Sequence, residues 1–260
     1  MPEAGMLGVF LAATTIYSLI WGRALWYFGE RSQAFRRLVF FSMEFTRRPV
    51  GEVRAWLLTA IYYSLGLIAG LLFAIAFGLP ASALASFAVA HTALFVLGAI
   101  GEISLTDFFV MVACRVTGQG GPERFAEMKD IPWMKGLRQL PFAVVPWAAA
   151  LGGVVEELFY RGVVLRILLD RFMVAPLGAV AIAGALFCLE QLIQVRTAFQ
   201  ALVIGCGCVA ISTVGGLLVV LTGSVVPAVL CHASFVLFFM SRGGATSDGL
   251  AARKRRGAAR

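Results

Sequence analysis

Residues 198–221 read AFQALVIGCGCVAISTVGGLLVVL, an uncharged stretch flanked by Arg196 on one side and Thr222-Gly223-Ser224 on the other. About 20 apolar helical residues are enough to cross the roughly 30 Å hydrocarbon core of a bilayer. The stretch therefore predicts a transmembrane span, and with it the solvent in which the chain folds. Working outward, comparable runs occupy 5–22, 57–79, 81–101, 140–160, 177–195 and 225–241. The prediction is an all-α fold, a polytopic helical membrane bundle of about seven transmembrane helices, with Pro80 and residues 222–224 as the narrowest separators. Composition agrees. The 260 residues are 60% hydrophobic and 14% charged, with a mean hydropathy of +0.88. That leaves too few polar side chains to cover an ordinary water-facing domain, and it excludes disorder. Five cysteines are too sparse for a disulfide scaffold.

A net charge of +8 would raise the question of nucleic acid in a soluble chain. In a membrane chain it marks cytoplasmic segments instead, so the expected partners are membrane lipid and no nucleic acid. With the amino terminus outside, nineteen of the 22 basic residues fall on the inner side, leaving Arg161, Arg166 and Arg171. The expectation is a multi-pass protein of the cell (plasma) membrane with its amino terminus out and its tail cytoplasmic. Met1-Pro2-Glu3 offers no basic start for a secretory signal, so the first run reads as a retained span. Between Arg31 and Arg54, phenylalanines alternate with arginines in the manner of a helix lying at the inner interface. Asp107 to Arg138, glycine-rich in its middle, reads as a second inner connection. The chain divides into 1–138, without an assigned motif, a core at 139–241, and a basic tail at 242–260 read as disordered.

Ionisable groups inside apolar spans are costly and mark candidate sites. They are His91, Glu156, Glu157, Arg161, Glu190 and His232. His91 stands alone and reads as a histidine hydrogen-bonded to a neighbouring helix. The fourth span is different: in Glu156-Glu157-Leu-Phe-Tyr-Arg161-Gly162, helical periodicity puts Glu157 and Arg161 at i,i+4, where they can pair, and turns Glu156 about 100° away. One carboxylate is thereby neutralised and the other left available to activate water as a general base. A helix-end ion-pair cluster with no chemistry is the alternative. Gly152 and Gly153, one turn earlier, permit close approach of a helix or a substrate backbone.

These residues resemble the first motif, Glu-Glu-x-x-x-Arg, of the CAAX-protease and bacteriocin-processing (Abi) family. Its second motif, Phe-x-x-x-His, matches Phe187-Cys-Leu-Glu190-Gln191, and its third, His-x-x-x-Asn, matches His232-Ala-Ser-Phe-Val236 after a Thr-Gly-Ser turn at 222–224. The resemblance covers roughly 139–240. It implies an intramembrane glutamate-dependent endopeptidase: Glu156 as the base, Glu157 and Arg161 shaping the site, Gln191 and His232 holding water or stabilising the oxyanion, and Phe187 a wall. Glu190 joins Phe187 on the substrate side. Two positions depart from the pattern, Gln191 for histidine and Val236 for asparagine. A glutamine amide can still donate a hydrogen bond but cannot take up a proton near neutral pH, and valine can do neither. Recruitment of Glu190 as a replacement requires a shift in helix rotation, because it neighbours Gln191 in sequence rather than sharing its face.

With only His91 and His232 available, no metal is expected, and no cofactor. Cys114, Cys188, Cys206, Cys208 and Cys231 read as packing residues, and Gly205, Gly207, Gly215 and Gly216 as helix-packing notches. Three functions remain open: an endopeptidase acting on a membrane-associated peptide or protein, a catalytically silent relative that binds a membrane partner, and a proton-relaying transporter, the last disfavoured by the absence of repeats.

Overall fold

A computed structural model describes residues 3–80 and 91–239. The tail at 242–260 lies outside them, as does the side chain of His91. All secondary structure among the described residues is helical. Helix α1 runs Glu3–Trp26 and continues as a π-helical turn, Tyr27–Arg31. Then come α2 (Gln33–Thr46), α3 (Val50–Ala76) and α4 (His91–Thr117). Short helical pieces, Pro122–Ala126, Glu127–Asp130 and Pro132–Leu137, lead to α5, which starts as Val145–Glu157 and widens into the π-helical Leu158–Leu165 and Ile167–Arg171. Helices α6 (Pro176–Leu192), α7 (Ala198–Thr222) and α8 (Val226–Phe239) complete the bundle.

Among the described residues, four helices are long and apolar enough to cross a membrane: Ala4–Arg31, Val50–Ala76, Ala93–Thr117 and Ala198–Thr222. Pro176–Leu192 and Val226–Phe239 are shorter apolar helices. The architecture is that of an all-α, multi-pass membrane protein. Its exterior is apolar, with Ile68, Leu71, Leu72 and Ile75 of α3 and Leu97 and Ile100 of α4 all more than half exposed. Its interior holds Glu102, Glu156, Glu157, Arg161, Glu190, Gln191 and His232, none more than 8% exposed. A soluble protein distributes these groups the other way round.

Local chemistry accounts for several boundaries. Thr197 and Gln200 form a capping box at the start of α7, each side chain bonded to the other's backbone N–H. Gly223, with φ of 68°, ends α7 in the left-handed region that glycine enters at least cost. Ser224 then accepts a hydrogen bond from the Val226 N–H to start α8. Ser32 caps α2 by accepting from the Phe35 N–H, and Pro49 separates that amphipathic helix from α3.

Two boundaries differ from the sequence reading. The third span, expected at 81–101, is a helix that begins within the described residues at His91 and runs to Thr117. Glu102, which closed the apolar run in sequence, is buried in mid-helix, and the inner connection starts beyond Thr117 rather than at Asp107. The fourth span does not end at 160 either, because helical structure continues to Arg171 and holds Arg161 inside the bundle, 1% exposed, instead of on the outer side.

Packing positions the site. Helix α6 lies along α7, where Gly184 faces Ser212 and Gly216 faces Val180 closely enough that a methyl group on either glycine would collide. Trp21 of α1 stacks on Tyr62 of α3, and its indole N–H donates to the Tyr62 carbonyl at 3.0 Å. This fixes the face of α3 that looks into the core.

Candidate active site

Four helices of the motif region and one from the amino-terminal third bring the polar groups together. On α5, Glu157 and Arg161 pair at 3.2 Å as the i,i+4 spacing predicts. Past Glu157 the helix widens, and Phe159, Tyr160 and Arg161 all turn inward, none more than 1% exposed. π-Helical insertions of this kind recur at functional sites. The Arg161 guanidinium also donates to Ser212 Oγ of α7 at 3.0 Å and lies over the Phe187 ring of α6, 4.7 Å from its centre. Phe187 is therefore a wall of the cluster, its ring meeting those of Tyr160 and His232 edge-on.

His232 of α8 lies against α5 at Gly153, where a Cβ would come 3.3 Å from the imidazole carbons, so the glycine one turn before the carboxylates makes room for the ring. Its Nδ1 is 3.0 Å from Glu157 Oε1. Because that partner is a carboxylate oxygen, the network puts a proton on Nδ1 and leaves Nε2 facing Glu156 Oε2 at 3.9 Å. A single water oxygen can reach two atoms at that separation.

Glu156 is not left unpartnered. Its Oε1 accepts from the Tyr62 hydroxyl at 2.6 Å and from the Gln191 amide at 3.1 Å. Gln191 uses the same nitrogen toward Glu190 Oε2 at 2.8 Å, so one amide group ties the two acids together. Glu190 Oε1 lies 3.0 Å from the same tyrosine hydroxyl and accepts from Gln194 at 2.9 Å. Glu190 therefore faces the cluster beside Gln191 with no rotation of α6; a long carboxylate side chain bridges the angle between adjacent helical positions.

Of the seven residues singled out for the site, Glu156, Glu157, Arg161, Phe187, Glu190, Gln191 and His232, all join one connected cluster. Val236 does not: it packs beside Ala148, Ala149 and Leu140, so the position that carries asparagine in the resembling motif is filled by hydrocarbon. Sequence reading missed Tyr62, Gln194 and Ser212. A tyrosine or serine in an apolar span carries no motif, and only a contact across the bundle reveals its partner. It also missed Glu102 of α4, fully buried with no hydrogen-bond partner on either carboxylate oxygen. Among the described residues, no group of three or more His, Cys, Asp or Glu side chains is arranged to hold a metal ion. The five cysteines are free.

The fold and the buried cluster define a class, a multi-pass membrane protein with carboxylates and an imidazole gathered in its interior. Residues 138–238 match the family described as type II CAAX prenyl endopeptidase Rce1-like. The match covers less than half of the chain and takes in all three of the stretches that resemble motifs of the CAAX-protease and bacteriocin-processing (Abi) family. At family level the match supports a CAAX-protease-like intramembrane peptidase. No curated protein and no solved structure matches the chain.

Proposed function

We propose that the protein is a glutamate-dependent intramembrane endopeptidase that hydrolyses a peptide bond in a membrane-associated peptide or protein. Glu156 takes a proton from a water molecule as that water's oxygen attacks the scissile carbonyl carbon, and later returns the proton to the leaving amine. His232, oriented through Nδ1 by Glu157, presents the Nε2 lone pair toward the same water and accepts a hydrogen bond from it. Gln191 fixes the Glu156 carboxylate, and Arg161 pairs with the Glu157 that orients the histidine. The reading is supported above all by the convergence of Glu156, Gln191 and His232 within 3.1 and 3.9 Å. In a bilayer the basic segments favour an outside amino terminus and a cytoplasmic tail in the plasma membrane.

The apolar packing of Val236 favours a second reading, a silent relative that binds a membrane partner. Loss of one oxyanion donor typically lowers turnover about 10²–10³-fold. Purified protein in liposomes, presented with a membrane-bound peptide library, separates the two. Cleavage by the starting protein falls at least about 10³-fold in Glu156→Gln; equal cleavage by both removes the peptidase reading. Activity that arises only on introducing Gln191→His together with Val236→Asn assigns the natural chain to the silent class.

A further inference from the structure

Hydrogen atoms around Glu156 and Glu190 can be counted from the donors that reach them. The Gln191 amide supplies two, one to each carboxyl, at 3.1 and 2.8 Å, and Gln194 supplies another to Glu190. The Tyr62 hydroxyl has a single hydrogen, yet its oxygen lies 2.6 Å from Glu156 Oε1 and 3.0 Å from Glu190 Oε1. If both acids were ionised, one of these short contacts would set lone pair against lone pair. A carboxylic proton on one acid resolves it: that acid donates to the phenol oxygen, and the phenol donates to the other.

Charge balance points the same way. Glu190 is fully buried and Glu156 is 8% exposed. Arg161 is committed to Glu157 at 3.2 Å, and His232 engages Glu157 through Nδ1 at 3.0 Å, with its Nε2 no closer to Glu156 than 3.9 Å. The other titratable groups facing the pair are Tyr17 of α1, Tyr63 of α3, Tyr160 of α5 and Cys208 of α7, none of which brings a positive charge. Two unscreened anions side by side in hydrocarbon are far costlier than one anion and one acid.

We infer that Glu156 and Glu190 form a proton-sharing carboxyl pair bridged by Tyr62, with Glu190 holding the proton at the motif where the related pattern carries a histidine. The carboxylic proton of Glu190 passes to Tyr62 Oη as the phenolic proton passes to Glu156 Oε1. This leaves Glu190 as carboxylate, Tyr62 as phenol and Glu156 as carboxylic acid, with no change in total charge. Gln194, which grips Glu190, also lines a small cleft with Gly22, Arg23, Trp26 and Arg196. As an account of catalysis the pair rests on Glu156 being the base of the proposed peptidase; as an account of one buried proton it rests on geometry alone.

Infrared spectroscopy of the purified full chain, at neutral pH and without substrate, tests the pair. The starting protein shows the C=O stretch of a protonated carboxylic acid that Glu190→Gln removes and Tyr62→Phe shifts, while a separate band lost in Glu102→Gln belongs to the isolated acid on α4. Carboxylic bands unchanged by both Glu190→Gln and Tyr62→Phe overturn the pair; if Glu190→Gln fails to fold, Tyr62→Phe, which loses one oxygen and keeps the ring, decides alone. In peptide cleavage, Glu190→Gln lowers kcat about 10²-fold with KM little changed and alters the pH–rate profile. An unchanged kcat overturns the pair's part in catalysis. Infrared bands that respond as stated in a protein that cleaves nothing support the pair and remove the peptidase function instead.

Discussion

Arg161 has no route to water, so its charge is balanced by what the bundle provides: Glu157, the Ser212 hydroxyl and the face of Phe187. Removing one partner of a buried ion pair leaves an uncompensated charge and costs on the order of 3–5 kcal/mol, whereas replacing both with hydrocarbon is far milder. Glu157→Gln is therefore expected to lower the thermal midpoint in detergent well below that of the starting protein, and the double replacement Glu157→Leu with Arg161→Leu to recover part of the loss. Calorimetry or intrinsic tryptophan fluorescence measures it. At this scale much was legible in advance. The i,i+4 geometry of Glu157 and Arg161 depends only on the helix between them, so the sequence predicts it. The direction of Glu190 was misjudged because periodicity describes where Cβ points, and a glutamate side chain reaches well beyond that.

Among the helices, close approach depends on missing side chains. A Cβ at Gly66 of α3 would sit 2.5 Å from the Trp21 ring and 2.4 Å from Val155, one turn from Tyr62. Helices α1, α3 and α5 meet there, and their spacing holds the tyrosine hydroxyl on Glu156. Gly66→Ala is expected to cost about 1–3 kcal/mol by overpacking, read as a fall in thermal midpoint. Gly8→Ala in α1, where an added Cβ meets nothing within 4 Å, leaves the midpoint unchanged or raises it. The sequence located these helices well and their ends less well. It closed the third span just before Glu102 and the fourth just before Arg161, although the fourth already ran through Glu156 and Glu157. The bundle buries Glu102 and Arg161, and the helices continue past them.

For the whole molecule, the contrast between an apolar exterior and a polar interior makes the bilayer part of the fold. Leu250→Cys in an otherwise native chain is expected to react with a membrane-impermeant maleimide only after the cytoplasmic face is opened; labelling from outside intact cells would reverse the proposed orientation. The amino-terminal third carries no recognisable motif and lies outside the matched residues 138–238, yet it contributes Tyr62, across 94 residues to Glu156 and 128 to Glu190.

Composition and uninterrupted apolar runs determined by themselves that this chain folds in lipid as a helical bundle, because transfer free energy accumulates residue by residue and needs no partner. The spacing of Glu156, Glu157 and Arg161, together with the two later motifs, likewise singled out side chains that gather in one buried cluster. Only the tertiary structure decided that His232 pairs through Nδ1 with Glu157, that Val236 turns into hydrocarbon, and that a tyrosine from a distant helix lies between two acids. Those contacts depend on how helices cross and rotate against one another, and crossing is set by side-chain packing over the whole interface rather than by any local run of sequence.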